Sequence, residues 1–271
     1  NRSERRAASA TSIGRQVTTS CEEVCGISIE WIIADVQKPR PLLAFPAMRL
    51  RENINRWTLG KMQNPVRGFL HGGAALASLV GTVFLWSKAH TWPARFAVIV
   101  FGLGLLALYT TSSLYHSIPW RQVWKIRMQR LDHSMIFVLI AATYTPIGVL
   151  ILEGWWRWVA MVVAWGIAVV GILQRIFSTM DKHVFSFTLM LILGWLSLPI
   201  MFPLANRAGL AAVALMALGG ILYTVGMVFK ITRWPRLWPR VFSAHELFHV
   251  FVVAASAVHW TATYRYVLGA G

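Results

Sequence analysis

Runs of about 20 residues with almost no charge recur along this chain, and each is long enough to cross a ~30 Å hydrocarbon core as an α-helix. By continuous apolarity they fall at about 67–88, 94–116, 131–152, 155–174, 184–204, 208–229 and 244–265. The expected fold is therefore all-α, an integral membrane bundle of seven transmembrane helices. Composition supports this: 56% of the 271 residues are apolar and only 13% are charged, against roughly 25% charged in an ordinary soluble domain. Several of the 14 Trp, including Trp57, Trp86, Trp92, Trp120, Trp155, Trp156 and Trp260, sit near the ends of the runs, as in interfacial aromatic belts.

A net charge of +16 could suggest nucleic acid, but its distribution argues against that partner. Many of the Lys and Arg precede the first span, and most others lie in short loops, where they set orientation and attract anionic lipid. With the N-terminus inside, the inner loops hold Arg121, Lys125, Arg127, Arg130, Arg175, Lys182, Lys230, Arg233, Arg236 and Arg240. The outer side holds Lys88, Arg95, Arg157, Arg207 and Arg265, so ten face five. The positive-inside rule then predicts a cytoplasmic N-terminus, an outside C-terminus and residence in a cell membrane. Only Cys21 and Cys25 are present, which leaves no disulfide framework and no thiolate cluster.

Residues 1–63 read differently from the rest, Arg- and Ser-rich at first and then broken by Pro39, Pro41 and Pro46. They predict disorder followed by a surface helix. The chain opens on Asn and its start is poor in acids, which admits a targeting segment or a start assigned upstream of a true one at Met48. Residues 64–271 form the membrane domain.

Ionisable residues inside a membrane are costly and are functional candidates by default. Those touching the spans are His71, His116, Asp132, His133, His245, Glu246, His249 and His259. With the N-terminus inside, the second span ends at His116, the third begins at Asp132 and the seventh begins at His245, all at one membrane level. His245 and His249 lie one turn apart on one helix face and are spaced to share an ion. His116 would complete a His₃ set that leaves zinc's fourth position open, as in catalytic sites. Ser112, one turn before His116, is placed to hydrogen-bond water or substrate, and Asp132 to act as general base. Blander roles exist for each: headgroup contact for the His residues, back-bonding to its own helix for Ser112, and capping of the third helix for Asp132. His71, His133 and His259 read as supporting or packing residues.

His245-Glu246-Leu247-Phe248-His249 also spells H-E-x-x-H, the zinc-protease pattern with Glu as base. Membrane-embedded site-2 proteases share it, together with a Leu-Asp pair matching Leu131-Asp132. Their Asp follows the H-E-x-x-H helix, however, whereas here it precedes it by over a hundred residues. Glu246 also points about 100° away from His245 on a helix. It therefore reads as a supporting residue, with the base role as the alternative.

Three motifs in order, Ser112-Ser113-Leu114-Tyr115-His116, Leu131-Asp132-His133-Ser134-Met135-Ile136 running on to Ala142-Thr143-Tyr144-Thr145-Pro146, and Ser243-Ala244-His245-Glu246-Leu247-Phe248-His249, give the chain its family likeness. Over about residues 64–268 it resembles the hemolysin III family, the bacterial branch of the progestin and adipoQ receptor group. The resemblance implies a seven-helix bundle with zinc held by His116, His245 and His249. In the wider superfamily, which includes the alkaline ceramidases, it implies that Ser112 and Asp132 flank the metal and that the chemistry is hydrolysis of lipid amides. The receptors usually carry Gln where Glu246 stands. Three functions follow as expectations: a zinc-dependent hydrolase of an inner-leaflet lipid amide or ester, a receptor or scaffold with structural zinc, and a pore-forming cytolysin. Membrane lipids are the expected partners in each, and oligomeric state is left open.

Overall fold

The computed structural model describes Met62 and residues 64–177, 183–238 and 241–271, so the segment read at 1–63 lies outside the described residues apart from Met62. The helices are α1 (Pro65–Lys88), α2 (Trp92–Ser117), α3 (Gln122–Leu150), α4 (Gly154–Phe177), α5 (His183–Trp195), α6 (Met201–Ala208), α7 (Leu210–Thr232), α8 (Ala244–Ala262) and α9 (Leu268–Ala270). A 3-10 turn, Leu198–Ile200, joins α5 to α6, and a π-helical turn, Thr263–Val267, carries α8 into α9. Among the described residues, seven helical stretches are long and apolar enough to cross a membrane, with α5 and α6 making up the fifth. The protein is an integral, multi-pass membrane protein.

The ends of these helices follow local chemistry. Pro65 opens α1, where its missing N–H would be unsatisfied anyway. Thr91 caps α2 by accepting from the Ala94 amide at 3.3 Å. Gly209, at φ +84°, makes the left-handed corner between α6 and α7. In the fifth span, Pro199 and Pro203 lack the N–H groups that a continuous helix needs, and the helix breaks after Trp195. Apolarity alone read this span as unbroken.

The third helix also departs from expectation, since it starts at Gln122 rather than near residue 131. Its first turns, with Lys125, Arg127 and Arg130, contain no Pro or Gly to stop the helix, so it runs out of the apolar zone before ending. Asp132 therefore lies nearly three turns inside α3 and cannot be its cap.

Consecutive spans pack side by side, and α8 returns to touch both α7 and α1. The third span is the spine: 67% of its apolar window is buried, against 22% for the fourth and fifth. Helices approach closely where small residues meet; a Cβ on Gly104 would stand 2.6 Å from that of Ala142. Outward, Leu76, Val83, Phe96, Val162, Leu173, Phe202 and Leu210 are exposed, an apolar coat suited to lipid.

Candidate metal centre

The first turn of α8 is held rigidly. The Ser243 side chain accepts from the His245 amide at 3.3 Å, and the Ser243 amide donates to Glu246 Oε2 at 2.8 Å, a reciprocal capping box. Glu246 Oε1 accepts from Arg67 Nε on α1 at 2.6 Å, with both side chains almost fully buried. Ser243 Oγ also bonds to Glu246 Oε2. Both carboxylate oxygens are thus engaged, Oε1 in tying α8 to α1 and Oε2 in capping α8, which counts against the base role that the H-E-x-x-H pattern offers Glu246.

This anchoring presents His245 and His249 toward the end of α2. Tight packing of α2 on α1 fixes that end: Ser113 Oγ donates to the Gly68 carbonyl at 2.8 Å, and the Asn64 amide donates to the His116 carbonyl at 3.1 Å. The three imidazoles converge, with ring centroids 5.6 Å apart for His116 and His245, 5.0 Å for His116 and His249, and 4.9 Å for His245 and His249. One nitrogen from each lies within 4.8 Å of the others, within reach of a shared ion at ~2 Å bonds after side-chain rotation.

The donor set fits a metal on a second count. His116 Nε2 and His249 Nε2 are buried and have no hydrogen-bond partner, although buried polar groups are as a rule paired. A cation at the centre of the triad would satisfy both. His71 on α1 completes the arrangement, its Nε2 lying 2.8 Å from His249 Nδ1. That bond fixes the His249 ring and leaves Nε2 as its ligand atom. In turn, His71 packs edge-on against Tyr109, centroids 5.0 Å apart.

Asp132 reaches the same region from α3, buried, and lines the same cavity as Ser112 of α2. Ser112, Asp132, His71 and His249 line one end of a cavity of about 150 Å³ that runs inward between apolar walls including Leu108, Leu139 and Met190. Its lining also includes Trp195 and Leu198, which are 41% and 59% exposed, and the exposed Gly194 and Ala217. The cavity thus opens sideways between the broken fifth span and α7, toward the lipid-facing surface.

Of the other histidines, His133 leaves the site and contacts Arg175 on α4. His259 lines the cavity far from the triad, with Nε2 3.1 Å from the Met216 carbonyl. Lys230, which the charge count had placed in an inner loop, is part of α7 and lines the cavity, its Nζ 4.4 Å from the Phe248 ring centroid.

The profile of the family described as Haemolysin-III related matches residues 60–260. The chain belongs to that family. It is 35% identical to the Hemolysin-3 homolog of Bacillus subtilis over 190 residues, covering 69% of this chain and 86% of the relative. It is 32% identical to Hemolysin-3 of Bacillus cereus over 222 residues, 81% and 98% of the two chains. A more distant relative is the human Monocyte to macrophage differentiation factor, 25% identical over 219 residues, 73% of this chain and 82% of the relative. These haemolysin-III relatives and the seven apolar helices agree on a multi-pass membrane protein.

Proposed function

We propose that this haemolysin-III-related protein is a zinc-dependent hydrolase of membrane lipid amides or esters. The observation that carries the reading is the convergence of His116, His245 and His249, the last of which lines a largely apolar cavity open toward lipid. A soluble substrate would not need such an entrance, whereas a lipid could enter from the bilayer between the fifth span and α7 and lay its chain along the apolar wall. The excess of Lys and Arg at the triad's end of the bundle supports placing that end in the cytoplasm, with an inner-leaflet substrate.

Zinc, when bound by the three histidines, supplies Lewis-acid polarisation of a carbonyl and makes a water acidic enough to serve as nucleophile near neutral pH. The chain's own groups do the rest. Asp132 takes a proton from the attacking water at its carboxylate. As the C–N or C–O bond breaks, the same carboxyl returns that proton to the leaving amine or alcohol. Ser112 holds the carboxylate in place, and His71 holds His249. Apolar walls keep bulk water away from the reacting carbonyl.

Zinc that only clamps α2 to α8, as in a receptor or scaffold, would be favoured by a closed four-ligand site. The nearby fourth imidazole, His71, is bonded to His249 through Nε2, and this favours an open position. A pore-forming cytolysin calls for a polar stripe through several spans, and the apolar coat of the exposed faces counts against it.

The test is to purify the protein in detergent, quantify zinc, and assay a panel of ceramides and other acyl amides and esters with wild type, Asp132→Ala and His249→Ala. Zinc retained but activity lost in Asp132→Ala supports the hydrolase. Full activity in His249→Ala, or no stoichiometric zinc in wild type, removes it.

A further inference from the structure

Among the described residues, Lys230 is the one Lys or Arg that lines the cavity, and Asp132 is the one carboxylate. A charge carried within a membrane span is costly and marks a functional position by default. Lys230 stands two residues before the end of α7, near enough for so long a side chain to reach out to the headgroups. Instead, its Nζ is held 4.4 Å over the ring of Phe248, another cavity residue, and 5.7 Å over that of Phe187.

Aromatic faces attract a cation without neutralising it, and an ammonium has three N–H donors to place. Among the described residues, none of those donors meets a hydrogen-bond acceptor and no carboxylate lies within ion-pair distance. Glu246 is taken by Arg67, and Asp132 shares the cavity without pairing to Lys230. Unlike His116 Nε2 and His249 Nε2, Lys230 Nζ is not closed off, and the side chain keeps part of its surface accessible. A ligand in the cavity can therefore reach it. An unpaired, reachable cation in a largely apolar pocket selects for an anion.

Position decides which anion fits. The end of α7 and the start of α8 lie on the same side of the membrane, because they are joined by one loop between consecutive spans. The Phe248 ring that Lys230 covers stands 5.5 Å, between centroids, from the His249 ring. Little more than one phenyl ring thus separates the ammonium from the triad. A lipid whose acyl carbonyl sits at the triad must carry its negative charge as a separate group close by, at headgroup level. A free fatty acid cannot serve both positions, since its carbonyl and its charge are one group. In membrane lipids the fitting group is phosphate, which a glycerol or sphingoid backbone joins to the acyl carbonyl through a few bonds.

We infer that Lys230 is a specificity residue that binds lipid phosphate, so that the protein's ligands are acylated phospholipids rather than neutral acyl lipids. This deepens the lipid-hydrolase reading and rests on the same cavity. It gives the site two contacts with one headgroup region, the acyl carbonyl at the histidine triad and the phosphate at Lys230.

The test uses the full-length protein in detergent and isothermal titration calorimetry. The probes are dioctyl glycerol, its phosphate monoester, and inorganic phosphate; the two lipids are ether-linked, so they report binding without turnover. Wild type should bind the phosphate lipid roughly 10- to 100-fold tighter than dioctyl glycerol, the worth of one charge-assisted hydrogen bond. Inorganic phosphate, with no chain for the apolar wall, should bind far more weakly than the phosphate lipid. In Lys230→Met and Lys230→Gln, each checked for helical content by circular dichroism, the preference should fall to near parity while dioctyl glycerol still binds. Lys230→Arg should keep it, and so should Arg236→Gln, which removes an exposed charge from the loop after α7. Equal affinity of wild type for the two lipids, or a preference that survives loss of the Lys230 charge, overturns the inference and leaves the hydrolase reading standing. So does inorganic phosphate binding as tightly as the phosphate lipid. Should neither lipid bind wild type, the lipid cavity itself falls, and this inference with it.

Discussion

Replacing Glu246 separates the two roles that its sequence context offers. In the structure its carboxylate is ion-paired with Arg67 at 2.6 Å, both side chains about 5% exposed, and it closes the capping box of α8. Removing one partner of such a pair strands the other charge in a low-dielectric interior, a loss of about 3–5 kcal/mol. Loss of the cap alone would account for about 1 kcal/mol. Glu246→Ala should therefore destabilise the detergent-solubilised protein by several kcal/mol, read from SDS titration followed by circular dichroism, and should weaken zinc retention because α8 loses its anchor. Pairing Glu246→Leu with Arg67→Met should recover much of that stability, since no charge is then left unpaired. Glu246→Gln keeps the shape and the cap hydrogen bond, and should retain lipid hydrolysis once the protein is folded and zinc-loaded. Loss of hydrolysis in Glu246→Gln with stability and zinc unchanged would refute the reasoning and restore Glu246 as the base. A destabilisation below about 1 kcal/mol in Glu246→Ala would refute the buried ion pair.

Further outcomes follow from the same geometry. His71→Ala should lower zinc affinity about 10- to 100-fold, the usual effect of losing a residue that orients a metal-binding imidazole, and competition with a chelator of known affinity measures it. Ser112→Ala should slow kcat about tenfold by freeing the Asp132 carboxylate, with zinc content unchanged; an unaltered kcat would remove Ser112 from the site. Ala217→Phe, at the lateral mouth, should raise KM for lipids without displacing zinc, and an unchanged KM would mean that substrate enters elsewhere.

Much of this was legible in the chain. The seven spans follow from apolar runs because a bilayer demands length and hydrophobicity, and both are local properties of sequence. The histidine triad was legible as well: His245 and His249 share a face by spacing, and His116 ends the second span at the same membrane level. What stayed hidden depends on contacts between distant segments. Arg67 stands at the start of the first apolar run, and nothing in the sequence names its partner Glu246, 179 residues away. His71 looked like one more intramembrane histidine, and only the packing of α1 on α8 brings it to His249. Lys230 was counted with the loops because charge counting does not say where a helix ends, and α7 continues through Thr232. The mouth of the cavity had a faint signal in Pro199 and Pro203, which mark a break in the fifth span without saying what it opens onto.

X-ray absorption at the zinc edge of the purified, detergent-solubilised protein addresses the metal centre most directly. One zinc per chain, with three imidazole nitrogens and one light oxygen ligand in its first coordination sphere, is the predicted spectrum. A spectrum that keeps its imidazole scattering in the triple variant His116→Ala, His245→Ala, His249→Ala, or wild-type protein that holds no zinc, would contradict it.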